Sequence, residues 1–170
     1  HDRPPGAGGE AIPARRDWLA RIRLRPVLRT IARWHQGSPG RVLDVGCGLG
    51  DLIRLLDVCG WEVCGCDPAD DARRVCGEEF GERFRPGDVS EAEFDDATFD
   101  VVITSEVLEH IQDDVTAISE MVRVLKPDDR FAATVPAWSP EVVNWRTSTP
   151  KTNPVVRTPP FQTHAVSLQR

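Results

Sequence analysis

The segment Val42-Leu43-Asp44-Val45-Gly46-Cys47-Gly48-Leu49-Gly50 carries the strongest signal in this chain of 170 residues. A short apolar run leads into the pattern Asp-x-Gly-x-Gly-x-Gly, and a segment with apolar residues at helical spacing follows directly. The pattern predicts a strand, a tight turn and a helix, which is the local structure that binds nucleotide-type cofactors. Glycine lets the backbone bend sharply and lets a ligand approach it closely. We therefore expect a cofactor site at this turn.

The spacing of the glycines separates two kinds of cofactor. A dinucleotide site requires Gly-x-Gly-x-x-Gly, which would place its third glycine at position 51. That position holds Asp51, and the third glycine is Gly50. Carboxylates at Asp44 and Asp51 would repel a pyrophosphate, whereas they would attract a cofactor that carries positive charge. Two alternatives remain open: an NAD-dependent oxidoreductase, which Asp51 disfavours, and a strand–turn–helix corner in which the glycines serve only the bend.

Alternating strand and helix patterns predict an α/β fold with a mostly parallel sheet and helices on both faces. Leu125 is expected to lie on the helix before the fifth strand, and Pro127 is expected to stop that helix. The chain divides into a disordered segment (1–14), a domain that begins with helices (15–136) and an irregular tail (137–170). No sixth strand is expected in the tail, which should therefore contribute little stability. The strands are expected at 41–45, 62–66, 83–85, 99–104 and 131–135.

Residues 41–136 resemble the class I S-adenosylmethionine-dependent methyltransferases. The glycine segment resembles their motif I, and Phe99–Ile111 resembles motif IV of the methyltransferase type 11 and ubiquinone-biosynthesis O-methyltransferase group. Leu125-Lys126-Pro127 resembles the next landmark, although Pro127-Asp128-Asp129 replaces the usual Pro-Gly-Gly. The resemblance implies a Rossmann-like fold whose last strands are not recognisable in this sequence.

The same resemblance implies that the cofactor is S-adenosylmethionine. Asp67 ends the second strand, where a carboxylate can accept hydrogen bonds from both ribose hydroxyls; the alternative is a helix N-cap. Asp88 is expected to accept a hydrogen bond from the adenine amino group while Val89 packs on the ring; the alternative is a turn aspartate. The full set of expected cofactor-binding residues is Asp44, Gly46, Cys47, Gly48, Gly50, Asp67, Asp88, Val89 and Ser105.

The pattern Glu106-x-x-Glu109-His110 follows the fourth strand. In relatives the pattern either shapes the pocket or helps to bind a divalent metal. Histidine can act as a general base near neutral pH, so His110 and Glu109 are the expected catalytic residues. A metal site would use Glu106, Glu109 and His110, with His164 as the first candidate for a fourth ligand. We expect no metal, and a purely structural turn is the remaining alternative.

Composition narrows the class of protein. The formal net charge of −6 argues against non-specific binding of nucleic acid. No apolar run approaches the roughly 20 residues that a membrane helix needs. The five cysteines are an odd number without zinc-site spacing, so we expect free thiols. Together with the absence of a visible signal peptide, free thiols favour a cytoplasmic location.

The sequence therefore predicts methyl transfer from S-adenosylmethionine to a small-molecule acceptor, with an oxygen atom favoured by the resemblance. The alternative is an incomplete or non-catalytic fold that at most binds the cofactor. Its support is the tail, in which we expect no strand and in which the family pattern is lost after about Arg146.

Overall fold

A computed structural model describes residues 24–25, 27–33, 38–134 and 163–167, the last range by its backbone alone. The predicted disordered segment, the start of the first helical region and most of the predicted tail lie outside these residues. Residues 24–25 and 27–33 are helical and form α1. Their buried side chains Leu24, Val27 and Ile31 share one face, since they follow the helical spacing i, i+3 and i+7.

A six-stranded sheet forms the centre of the described part of the chain, in the order β3-β2-β1-β4-β5-β6. The first five strands are parallel and β6 is antiparallel to β5. This arrangement confirms the predicted Rossmann-like, mostly parallel sheet. The strands are β1 (Arg41–Val45), β2 (Glu62–Asp67), β3 (Phe84–Pro86), β4 (Phe99–Ser105), β5 (Leu125–Thr134) and β6 (Thr163–Ser167). The further helices are α2 (Asp51–Asp57), α3 (Asp70–Phe80) and α4 (Asp114–Val124), with short 3₁₀ turns at Gly81–Arg83 and Leu108–His110.

Helices cover both faces of the sheet, as predicted. Alternate residues of a strand point to opposite faces, so each central strand supplies two hydrophobic cores. Val42 and Ile103 pack with α1, α2 and α3 in the first core. Leu43 and Val102 pack with α4 in the second core, where Met121 is completely buried. No helix among the described residues is long and apolar enough to cross a lipid bilayer.

The start of β5 differs from the prediction. Leu125 is not helical: it has extended backbone angles and pairs with Phe99. The register then shifts before Arg130 pairs with Val101, so Pro127 lies in an irregular stretch of strand. Proline is tolerated at such a place because the regular ladder of hydrogen bonds is already interrupted there. α4 therefore ends at Val124, before Pro127 can act on it.

Asp100 joins three strands at the amino edge of the sheet. Its carboxylate accepts a hydrogen bond from the backbone N–H of Arg41 at 2.7 Å. It also forms an ion pair with Nζ of Lys126, at 2.7 Å. Lys126 lies in the irregular stretch of β5. The contact therefore ties the interrupted part of that strand to β1 and β4.

The prediction that the tail holds no strand is wrong for Thr163–Ser167. These residues form β6, whose backbone pairs with β5 from Arg130 to Thr134. The cause is long-range pairing: a short strand at the edge of a sheet depends on its neighbour more than on its own propensity. The predicted boundaries of the three chain segments remain predictions.

Candidate functional site

Gly46, Gly48 and Gly50 all have left-handed backbone angles, with φ of 73°, 55° and 82°. A side chain at Gly46 would collide with Val107, and one at Gly50 would collide with the ring of Phe80. A Cβ at Gly48 would meet no atom of the described residues within 4 Å. Packing therefore explains two of the glycines, whereas Gly48 faces open space that a ligand could fill.

Asp67, at the carboxyl end of β2, fastens this turn. Its Oδ2 accepts a hydrogen bond from the backbone N–H of Gly48 at 2.8 Å, and its Oδ1 accepts one from Ala69, also at 2.8 Å. Ala69 is itself the N-cap of α3, so the alternative role of Asp67 as N-cap does not hold. An ionised carboxylate has about four acceptor sites. Asp67 therefore keeps the capacity to accept further hydrogen bonds from a ligand.

A first cavity of about 270 Å³ opens beside the glycine turn. The Asp44 carboxylate in its wall is only 3% exposed, and Asp51 and Ser105 also line it. Among the residues that the structure describes, this wall holds two acidic side chains, Asp44 and Asp51, and no lysine or arginine. Of the predicted cofactor-binding residues it brings together Asp44, Gly46, Cys47, Gly48 and Ser105.

A second cavity of about 560 Å³ lies on the other side of the carboxyl edge. Asp88, Val89 and His110 line it. Oδ1 of Asp88 accepts hydrogen bonds from the backbone N–H groups of Ser90 and Glu91, at 2.8 and 3.0 Å. Asp88 is thus the turn aspartate of the alternative prediction. No donor among the described residues bonds to Oδ2 of Asp88. This oxygen can therefore accept a hydrogen bond from a ligand.

Of these two cavities, His110 lines only the second, whereas Asp44 and Ser105 line the first. It is exposed at the wall of the second cavity, beside Asp88 and Val89. The neighbouring Glu109 has a buried carboxylate oxygen, Oε2, without a hydrogen-bond partner in the described part of the chain. The structure therefore separates the predicted base from the cavity where the first group of predicted residues meets.

The predicted absence of a metal stays a prediction. The described side chains contain no cluster of three or more His, Cys, Asp or Glu residues that could hold a metal ion. The backbone of His164 pairs with Ala133 near the carboxyl edge, but its side chain is outside the description. The alternative ligand set of Glu106, Glu109, His110 and His164 is thus not tested.

The cysteines described are unpaired thiols, as predicted, and only Cys59 is exposed. Burial raises the pKa of the Cys47 thiol far above its usual range, and burial raises the pKa of Cys66 to about 12. The Cys76 thiol donates to the carbonyl oxygen of Gly48 at 3.3 Å. Because the thiolate is the reactive form, Cys47 lines the first cavity as a neutral, unreactive group.

Several wall residues were not foreseen from the sequence. Leu24 of α1 closes one side of the first cavity, and its helical spacing to Val27 is the signal that could have suggested it. Pro68 and Ile111 line the second cavity, where only their nearness to Asp67 and His110 in the chain gives a hint. Gly50 does not line either of these cavities, consistent with its packing against Phe80.

Comparison with known proteins gives the same picture. A mitochondrial ubiquinone biosynthesis O-methyltransferase of Bos taurus is 37% identical over 114 residues, which cover 60% of this chain and 31% of the relative. A solved structure from Pyrococcus horikoshii has a TM-score of 0.62 and 30% identity, covering 75% of this chain and 57% of that one. A SAM-dependent methyltransferase from Archaeoglobus fulgidus has a TM-score of 0.59 and 27% identity, covering 71% and 53%. The chain thus spans about a third of the bovine relative's length.

Residues 43–133 match the family described as a methyltransferase domain. The match is more than half of the chain and contains the glycine turn, Asp67 and Asp88. These residues lie together at the carboxyl edge of a parallel sheet, where α/β proteins bind their ligands. The chain therefore belongs to the methyltransferase domain family.

Proposed function

We propose that this chain binds S-adenosylmethionine at the carboxyl edge of its sheet and transfers the methyl group to an oxygen atom of a small molecule. The observation that carries the proposal is the open space at Gly48. A side chain at Gly46 or Gly50 would collide with protein atoms, whereas the described residues leave open space at Gly48, which lines the first cavity. The missing side chain at Gly48 leaves room for a ligand.

Charge supports this cofactor over a dinucleotide. When bound, S-adenosylmethionine supplies an electrophilic methyl group on a cationic sulfonium. Asp44 and Asp51 line the first cavity, and their carboxylates favour a cation there. The N–H group of Gly48, which could bind a phosphate, already donates to Asp67. A pyrophosphate would therefore meet carboxylates and lose one of its donors.

The two cavities divide the cofactor between them. In this proposal the first cavity, with Asp44 and Ser105, holds the amino-acid end. Asp67 accepts hydrogen bonds from the ribose hydroxyls with its remaining acceptor sites. Asp88 and Val89 hold the adenine, by one hydrogen bond and by apolar contact. Methyl transfer then needs mainly a well-oriented acceptor and the exclusion of water.

The proposal also covers the acceptor atom and the proton transfer. The bovine relative, an O-methyltransferase, supports an oxygen acceptor. We retain His110 and Glu109 as candidates for proton transfer from an acceptor hydroxyl, although His110 lies beside Asp88. A small-molecule acceptor, a cytoplasmic location and the absence of nucleic-acid binding likewise remain predictions from the sequence.

Calorimetric titration with S-adenosylhomocysteine tests the cofactor. We expect Asp67→Ala to weaken binding by about 1.5–3 kcal/mol, because hydrogen bonds to a charged group are lost. Asp71→Ala is the matched control, since Asp71 also lies near the start of α3 but is exposed. Circular dichroism checks that both variants fold. A parent chain that does not bind the ligand would overturn the proposal, and an unchanged Asp67→Ala variant would remove the ribose assignment.

Transfer of a labelled methyl group to phenols, amines and thiols tests the reaction. We expect phenols to be methylated without added metal, and His110→Ala to lower kcat by about 10²–10⁴-fold while S-adenosylhomocysteine binds as before. Weaker binding with unchanged kcat would instead place His110 in the adenosine site. Loss of activity on chelation, restored by Mg²⁺, would turn Glu106, Glu109 and His110 into metal ligands. Binding without transfer to any acceptor class would favour the non-catalytic alternative.

A further inference from the structure

Thr134, the last residue of β5, holds the end of β4 by two contacts. Its hydroxyl lies 2.7 Å from the hydroxyl of Ser105, and either oxygen could be the donor. Its carbonyl oxygen accepts a hydrogen bond from the backbone N–H of Glu106 at 2.8 Å. One residue of β5 therefore holds both Ser105, the last residue of β4, and Glu106, which follows that strand.

The backbone at Glu106 is strained. Its φ is 57°, in the left-handed region that side chains other than glycine rarely adopt. Such strain persists only where the surroundings impose it, and it collects at functional sites. The hydrogen bond to Thr134 is one of the contacts that impose it. The chain bends directly after Ser105, and Ser105 lines the wall of the first cavity.

Strand alternation places the hydroxyl pair on the face of the sheet that carries Asp44. Ser105 follows Ile103 by two positions, and Thr134 follows Ala132 by two. Ile103 and Ala132 belong to the first core, which also contains Val42, two positions before Asp44. Residues two apart on a strand share a face. Asp44, Ser105 and Thr134 thus lie on one face at the carboxyl ends of β1, β4 and β5.

We propose that Thr134 is a positioning residue, which holds the Ser105 hydroxyl so that it accepts a hydrogen bond from the ammonium group at the amino-acid end of the cofactor. The inference rests on the proposed function. When Ser105 donates its proton to Thr134, both of its lone pairs are left for the ammonium group. Without the Thr134 oxygen, the Ser105 proton has no fixed acceptor and its lone pairs are no longer oriented.

Binding of two ligands to the whole chain distinguishes an effect at the amino-acid end of the cofactor from an effect on the whole site. S-adenosylhomocysteine carries the amino-acid end, and 5′-methylthioadenosine lacks it. We expect Thr134→Val to lower the affinity for S-adenosylhomocysteine by about 3- to 10-fold and to leave the affinity for 5′-methylthioadenosine unchanged. Thr134→Ser should restore the parent affinity because it restores the hydroxyl. Thr98→Val is the matched control: it also removes a hydrogen-bonded hydroxyl, but at the amino end of β4.

A double-mutant cycle with Ser105→Ala tests whether Thr134 acts through Ser105. Thr134→Val should have no further effect on S-adenosylhomocysteine in the Ser105→Ala background. Additive losses, equal losses for both ligands, or failure of Thr134→Ser to restore binding would each overturn the inference. A parent chain that binds neither ligand would overturn the proposed function itself, whereas normal parent binding with an unaffected Thr134→Val would overturn only the role of Thr134.

Discussion

At the scale of single residues, the three glycines of the turn share a backbone conformation but differ in what surrounds them. Gly46 and Gly50 face protein side chains, and Gly48 faces the cavity. Their equal appearance in the sequence hides this difference, because the neighbours Val107 and Phe80 come from distant parts of the chain. The distinction decides which substitution tests ligand binding and which one tests folding.

Gly48→Ala should lower the affinity for S-adenosylhomocysteine by at least about tenfold, since a new Cβ would take up space in the cavity. Gly81→Ala is a close control: φ is 56° at Gly81 and 55° at Gly48, and neither Cβ would meet an atom of the described residues within 4 Å. Both variants should lose about 1–2 kcal/mol of stability from left-handed strain. Calorimetry and chemical denaturation measure the two effects. Equal affinities for both variants would mean that the glycine serves only the bend.

At the scale of elements, α3 contains a glycine that its structure does not require. Gly77 lies inside the helix, is exposed, and has open space where a Cβ would be. Its φ is not in the left-handed region, in contrast to Gly81 just after the helix. A change to alanine should therefore raise stability at Gly77 and lower it at Gly81, four residues further along the chain.

Gly77→Ala should stabilise the domain by about 0.5–1 kcal/mol, because alanine loses less backbone entropy than glycine on entering a helix. Thermal unfolding should show a midpoint raised by roughly 2–4 °C per kcal/mol. Ligand affinity should not change. A lower midpoint would mean that the surface of α3 at Gly77 is covered in solution.

Asp113 caps α4 and gives the stability of that helix a pH dependence. Its carboxylate accepts hydrogen bonds from the hydroxyl and the backbone N–H of Thr116, at 2.7 and 3.0 Å. These bonds lower the pKa of Asp113, the hydroxyl contributing most. Because the pKa of Asp113 is lower in the folded state, its carboxylate stabilises the fold at pH values above the unfolded-state pKa of about 3.9. This contribution to stability is lost as the pH falls through the folded-state pKa.

Asp113→Ala should therefore be less stable than the parent at neutral pH, and the difference should shrink below about pH 4. Urea unfolding of both proteins between pH 7 and the acid range measures it. Asp113→Asn keeps a capping oxygen without a titrating group and is the matched variant. A difference that does not change with pH would show that the ionised carboxylate is not what stabilises the cap.

At the scale of the whole molecule, β6 changes what we expect the tail to contribute to stability. The strand pairs with β5 over five positions, Arg130 to Thr134. Without it, β5 would become an edge strand with unpaired backbone groups. β5 carries the fully buried Phe131 and also Thr134, whose hydroxyl contacts that of Ser105. The tail therefore supports the side of the sheet that borders the first cavity.

Removal of residues 163–170 should lower the unfolding midpoint by several degrees, at roughly 2–4 °C per kcal/mol for a domain of this size. Removal of 168–170 alone keeps every residue of β6 and is the control. Differential scanning calorimetry compares the three chains. Equal midpoints would restore the original expectation that this segment stabilises little.

The sequence by itself determined β1 to β4 and the functional residues at their ends, but not β6 or the start of β5. Apolar runs and glycines act locally, so the bounds of β1 and the positions of Asp67 and Asp88 at strand ends could be predicted. Family membership followed from the same motifs in order. The side of the sheet on which each functional residue lies also follows in part, since strand alternation is a local property.

The tertiary structure alone decided which of these residues meet. Ser105 and Thr134 are 29 positions apart in sequence, and neither has a local pattern that indicates the contact. The same holds for β6 beside β5, for the place of His110 beside Asp88 instead of Asp44, and for the open space at Gly48. Each depends on surfaces brought together from distant parts of the chain, and such long-range packing leaves no periodic signal in a short stretch of sequence.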